Sequence, residues 1–155
     1  MRIRVLAVGT KMPAWVNQGI AEYAKRLPRE YQLQWVEIPP AKRQGESAAQ
    51  LMAKEAESLR KQLRLGEQCI VLDVAGSIIS TEDIAATFAT CQMEGDELAI
   101  VIGGPDGVAP DLLSEASKRW SLGRVTLPHP LVRVVLAEQI YRAWSINANH
   151  PYHRG

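Results

Sequence analysis

The sequence predicts an α/β domain with a mainly parallel β-sheet and helices on both faces. Three observations carry that expectation. Five strand-like stretches alternate with helix-like ones along the chain. Two of the strands, QCIVLDVAG (68–76) and ELAIVIGG (97–104), are continuous apolar runs, the pattern of strands buried on both sides. Pro13 and Pro28 bracket the first helical stretch and Ser47 opens the second, so the punctuation fits the alternation.

Taken in order, RIRVLAVG (2–9) is the first strand, and AWVNQGIAEYAKRL (14–27) a helix with Trp15, Ile20, Tyr23, Ala24 and Leu27 near one face. YQLQWVEIP (31–39) alternates as a half-buried strand, and the pattern leaves open which face is covered. PAKRQGE (40–46) is a polar loop, followed by a helix from Ser47 to about Leu63. After the strand at 68–76, Thr81 with Glu82 and Asp83 opens a helix that ends near Met93 and Gly95. The strand at 97–104 follows, then APDLLSEASKRW (109–120) as a short helix and RVTLP (124–128) as the fifth strand. The last helix spans about 131–147.

A chain of 155 residues, 46% hydrophobic and 23% charged, suits a single domain over 1–155 with an ordinary core. No window approaches the roughly 18 apolar residues of a membrane span, and the apolar run at the start is too short for a signal peptide, so a cytoplasmic, membrane-free protein is expected. Cys69 and Cys91 lie far apart with no CxxC partner and read as reduced packing residues. Net charge is +1, but it is unevenly spread. Residues 1–117 hold 12 Lys/Arg against 16 Asp/Glu, and residues 118–155 hold six against Glu138 alone. A basic C-terminal end within one domain hints at an anionic partner.

In parallel sheets ligands sit beyond the carboxyl ends of the strands. That rule selects LDVAG (72–76), IGGPDG (102–107) and LGRVTLPHPL (122–131). Gly103-Gly104-Pro105-Asp106-Gly107 turns tightly after a buried strand and lets a ligand approach bare backbone. It is neither a GxGxxG fingerprint nor a P-loop. His129 stands between two prolines of restricted φ. His150 and His153 have no Cys, Asp or Glu near enough to complete a metal site, so no metal is expected. Asp73 is embedded in an apolar strand end, as a ligand contact or a cap. The final helix carries a broad apolar stripe through Val132, Leu136, Ile140 and Ala143, which fits either a single broad core helix or one that packs on the sheet and on a second copy. It runs into ANHPYHRG (148–155), rich in groups that a frayed tail would not need.

AVGTKMPAW, IGGPDG and the nearly unbroken LPHPLVRVVLAEQIYRAWSINANHPYHR closely resemble the ribosomal RNA large subunit methyltransferase H family, the minimal SPOUT methyltransferases, over the whole chain. The resemblance implies a sheet whose C-terminal segment forms a trefoil knot, a homodimer, and S-adenosylmethionine as methyl donor. It implies methylation of N3 of a pseudouridine in the helix 69 hairpin of 23S rRNA. Carried over by position, the donor would be held by Leu72, by Gly103 and Gly104, and by Leu122, Gly123, Arg124, Val125, Thr126 and Leu127. Gly104 would let backbone meet the donor, while Leu72, Leu122 and Leu127 would wall its adenine. His153 or Tyr152 would take or relay the N3 proton, with Arg154 or Arg142 steadying the anion and Glu138 a further candidate. His129, Arg133, Arg142 and Arg154 would meet the RNA. With so small a chain, the assembled ribosome is the expected substrate. From the residues alone two other classes remain open: a ribosome-binding factor without turnover, and an α/β enzyme that holds a different nucleotide at GGPDG.

Overall fold

The computed structural model describes residues 1–154. Its five strands are β1 (Arg2–Val8), β2 (Gln32–Ile38), β3 (Glu67–Ile78), β4 (Glu97–Ile102) and β5 (Lys118–Ser121). Its helices are α1 (Ala14–Ala24), α2 (Ala48–Gln62), α3 (Thr81–Glu94), α4 (Pro110–Glu115) and α5 (His129–Asn147). The strands form one sheet in the order β2-β1-β4-β3-β5, and every pairing is parallel.

Side-chain alternation sorts the helices onto two faces. Ile3, Val5 and Ala7 of β1 and Leu98, Ile100 and Ile102 of β4 join a core with Ile84 and Phe88 of α3 and Leu136 and Ile140 of α5. Leu6, Val8, Ala99 and Val101 point the other way, onto Ala56 and Leu59 of α2 and Leu112 of α4. α1 packs on α5, with Gly19 against Val134, so α1, α3 and α5 share a face. Both moves toward the β2 edge therefore use helices of one face, and both moves toward the β5 edge use helices of the other. All four crossovers share one hand, as parallel connections require.

Local chemistry sets the helix ends. Ser47 with Gln50 and Ser80 with Asp83 form reciprocal capping boxes, and α3 stops at Gly95 in the left-handed conformation. The open question at β2 is resolved: Leu33 and Trp35 pack toward the α1/α3/α5 core, and Val36 and Ile38 toward α2.

Two expectations fail near the β5 edge. The helix expected over 109–120 ends at Glu115, and the fifth strand is Lys118–Ser121 rather than 124–128. Pairing outweighs helical pattern here. Ser117 N–H donates to the Cys69 carbonyl, and Lys118, Arg119 and Trp120 then pair with Ile70, Val71 and Leu72, which buries Trp120. Residues 122–128 are left as a loop with Arg124, Val125 and Thr126 exposed. A third expectation fails on α1: Trp15 is 51% exposed and Val16 is the residue the helix buries.

Candidate active site

The carboxyl ends of β1, β3 and β4 and the loop after β5 converge on a cleft of ≈ 750 Å³. Its lining includes Leu72 and Asp73, the turn Gly103–Val108, Leu122, Gly123 and Val125–Leu127, with His129 and Val132 of α5 closing one side. Of the nine residues expected to hold a donor, Arg124 alone does not line it; its side chain is exposed beside the rim. Gly9, Thr10 and Met12 after β1 line it too. They belong to the GTKMP stretch, whose chemistry gives no signal apart from the motif itself.

The turn owes its shape to missing side chains. A Cβ at Gly103 would lie 2.7 Å from Val108 Cγ2 and 3.0 Å from the Gly107 carbonyl carbon. Gly104 lines the cleft with its backbone, and its missing side chain serves the packing on the other side. A Cβ there would meet Glu55 Oε1 at 2.9 Å and Val8 Cγ1 at 3.1 Å, so the position is closed by packing beneath the turn. Asp73 accepts the Ala75 N–H at 3.2 Å as a cap, and it also lines the cleft.

The expectation for Arg133 is corrected. It is 1% exposed, so it does not face solvent or RNA. Its Nε donates to His129 Nε2 at 2.8 Å, its Nη1 to Glu37 Oε2 at 2.6 Å, and its Nη2 to the Gly9 carbonyl at 2.9 Å. His129 Nδ1 lies 3.2 Å from the Gly103 carbonyl, so its ring is turned inward. Burial, then the Arg133 charge, push this imidazole below its ordinary range, against the opposing pull of the Gly103 carbonyl and Glu37.

The C-terminal residues fold back on α5. Asn149 adopts the left-handed conformation and His150 N–H donates to the Ser145 carbonyl, which turns the chain. Tyr152 then meets Tyr141 edge-on at 4.6 Å between centroids, with Arg142 4.7 Å over the Tyr152 ring. Tyr141 also stacks on Trp144, so the tail closes an aromatic cluster. Arg142 Nε donates to both Glu138 oxygens, at 2.9 and 3.1 Å, and its Nη1 lies 3.1 Å from His153 Nδ1. A guanidinium only donates, so His153 Nδ1 accepts and its Nε2 faces Glu82 Oε1 at 3.3 Å. Glu82 reads in the sequence as a solvated helix-start charge, and only the fold brings it to the tail. The Glu138 hydrogen bond chiefly holds Arg142 as a cation, whereas burial foremost pushes the Tyr152 phenol up and keeps it protonated. Arg154 is exposed, with its Nε 3.4 Å from the Pro151 carbonyl.

None of these tail residues lines the cleft of its own chain. The cleft meets α5 at its first turn, whereas Tyr152 packs on Tyr141, twelve residues and about 18 Å further along the axis.

Residues 1–153 match the family described as "Predicted SPOUT methyltransferase". The chain belongs to that family. It is 51% identical over 156 residues to the ribosomal RNA large subunit methyltransferase H of Chromohalobacter salexigens, covering 99% of this chain and 100% of that protein. The proteins of the same name from Marinomonas sp. and Saccharophagus degradans are 46% and 48% identical, each over 99% of this chain and 100% of their own. The expected resemblance is thus borne out, and the chain is a SPOUT methyltransferase of the large subunit methyltransferase H family. A probable methylase family protein from Haemophilus influenzae shares the fold, with a TM-score of 0.57 at 15% identity over 99% of this chain and 70% of its own. No helix among the described residues is long and apolar enough to cross a membrane.

Proposed function

We propose that the chain methylates N3 of a pseudouridine in the helix 69 hairpin of 23S rRNA, on assembled ribosomes in the cytoplasm. In this reading it uses S-adenosylmethionine and acts as a homodimer. The observation that carries the proposal is the cleft. Eight of the nine positions that the resemblance assigns to the donor line one cavity of ≈ 750 Å³, within the size range of small-molecule sites. Its leucine walls suit an adenine, and backbone from three loops is available to an adenosyl group's polar edge. The rRNA half is supported by the names of the full-length relatives.

When bound, S-adenosylmethionine supplies an electrophilic methyl on a positively charged sulfur. The protein's share is to hold N3 in line with that methyl and to help its proton leave. Arg142 and Arg154 are the cations assigned to the resulting anion. Tyr152, held as a neutral phenol, donates a hydrogen bond rather than acting as a base. His153 can relay once substrate displaces Arg142 Nη1 from its Nδ1: a proton then taken at Nδ1 would leave from Nε2 to Glu82, which opens to solvent. Exposed Lys118, Arg119, Arg124 and Arg154 are available to phosphates.

The separation of tail and cleft along α5 supports a site completed by a second copy. Exposed Trp15 and Leu131, at the starts of two neighbouring helices, offer apolar surface for it. A trefoil knot belongs to the same reading. Residues 122–128 lead from β5 at the sheet edge to α5, whose His129 and Arg133 reach Gly103 and Gly9 at the central strands, and threading that loop through the chain would tie the knot.

The test is transfer of labelled methyl from S-adenosylmethionine to ribosomes that lack the modification, beside protein-free 23S rRNA. Label is expected on one pseudouridine, on ribosomes far faster than on free RNA. His153→Ala is expected to cost about 10²–10⁴-fold in rate with donor affinity kept. Label on another nucleotide, or equal rates on free RNA, would refute the assignment.

A further inference from the structure

His129 and Arg133 are left without a task by the reaction just described, yet they are among the most constrained polar groups in the molecule. Arg133 has hydrogens and no lone pair to offer, so His129 Nε2, 2.8 Å from its Nε, must be the acceptor. The ring's proton therefore sits on Nδ1 and is donated to the Gly103 carbonyl at 3.2 Å. The sequence of bonds runs from the Glu37 carboxylate through the Arg133 cation and neutral His129 to Gly103, with a branch from Arg133 to the Gly9 carbonyl.

Both carbonyls end central strands and both residues line the cleft. Neither residue has a side chain of its own to wedge it in place. Gly9 has φ +142°, and a Cβ there would lie 3.1 Å from Arg133 Nη2, so backbone and guanidinium are fitted to each other. In the GGPDG turn the internal backbone bond runs from Gly107 N–H to Gly104 O, which leaves the peptide plane at Gly103 to be set from outside.

We propose that His129 and Arg133 are positioning residues that lock the Gly103 and Gly9 carbonyls at the floor of the cleft, so that a methyl donor meets a preformed backbone edge. This rests on reading the cleft as the donor site. Neither residue contacts RNA. The lock works with a neutral ring, because a protonated Nε2 would confront the guanidinium. The charged groups facing the ring are Arg133, on its own helix, and Glu37 from β2; the Gly103 carbonyl faces it from the end of β4. Without Arg133 the burial that opposes protonation of the ring remains but the facing cation is gone, so the ring protonates at a higher pH than in the wild type and donor binding becomes more dependent on pH.

The experiment is calorimetric titration of the full-length chain with S-adenosylmethionine between about pH 6 and 8, with sedimentation on ribosomes as a second readout. The variants are His129→Phe, His129→Asn and Arg133→Met, each checked by thermal unfolding. His129→Phe is expected to weaken donor binding at least about tenfold, or about 1.4 kcal/mol. His129→Asn, which keeps an N–H near the Nδ1 position, should restore most of it. Arg133→Met should bind more weakly as the pH falls, where the wild type stays flat, and ribosome sedimentation should be unchanged in all three. The proposal is overturned if the His129→Phe chain folds and binds the donor as tightly as the wild type. Loss of ribosome binding with donor affinity intact would also overturn it, since that is the signature of an RNA contact. If Arg133→Met does not fold, the His129 pair decides alone. A wild-type chain that fails to bind S-adenosylmethionine would instead overturn the donor-site reading on which the lock rests.

Discussion

Arg4 and Glu67 form a two-pronged ion pair inside the molecule, with Nε 2.8 Å from Oε2 and Nη2 2.7 Å from Oε1. Their side chains are 2% and 1% exposed, and Arg4 also donates to the Gln62 carbonyl at the end of α2. The pair ties β1 to the start of β3 across β4. Removing one partner would strand a buried charge, so Arg4→Met is expected to cost about 3–5 kcal/mol in chemical denaturation. The double change Arg4→Met with Glu67→Met should recover much of that loss.

The same pair sets an acid limit. Burial works to raise the Glu67 carboxyl, but the Arg4 hydrogen bonds, the Arg64 N–H and the nearby cations outweigh it and hold the group below its ordinary value. A depressed folded value contributes stability above the unfolded carboxyl value of about 4.3, and that contribution is lost as the pH falls through the folded one. Between neutral pH and about 3, the wild type should lose more stability than the double methionine variant. Parallel curves would remove Glu67 from the acid transition.

Gly103→Ala would place a methyl 2.7 Å from Val108 Cγ2 and against the Gly107 backbone. Relief requires the whole GGPDG turn to move, at about 1–3 kcal/mol of stability. A lowered melting temperature, together with weaker S-adenosylmethionine binding, is the expected result. An unchanged Kd would mean that the turn's backbone is not part of the donor site.

If the tail serves the partner's cleft, two inactive chains can rescue each other. His153→Ala damages a tail and Leu127→Arg fills a cleft. Co-refolded in equal amounts they should give half heterodimers, each with one intact site, and so about a quarter of wild-type methyl transfer. Tails working within their own chain would give no rescue.

The thiols should be quiet. Burial foremost pushes Cys69 up to about 11 and acts in the same direction on Cys91, which is itself buried. At pH 8 the native protein should react slowly with a thiol reagent, and unfolding should release both groups together.

What could be read from sequence followed the periodicities. β4, and β3 over Cys69–Leu72, are continuous apolar runs because both their faces are covered, and the strand-end rule alone picks out three of the loops around the cleft. The β5 region misled because Leu112 and Leu113 carry a helical signal, whereas Trp120 belongs to a strand whose partner lies some fifty residues earlier. Pairing at that range leaves no local trace. Arg133 misled for a similar reason. A cation on a helix reads as surface charge until its partners, Glu37 and Gly9, are brought to it by the sheet.

That clamp also has a consequence for how the protein comes into being. Arg133 bonds to a carbonyl 124 residues before it and to a carboxylate 96 residues before it. During synthesis, β1 and β2 emerge first and cannot acquire these bonds until α5 has been made. Contacts of such span are slow to close, and a nascent chain stopped short of α5 has the sheet's residues but no finished cleft. The cleft is thus finished only once α5 has been made, and chains stopped short of α5 should appear as insoluble or degraded material rather than as partly folded protein.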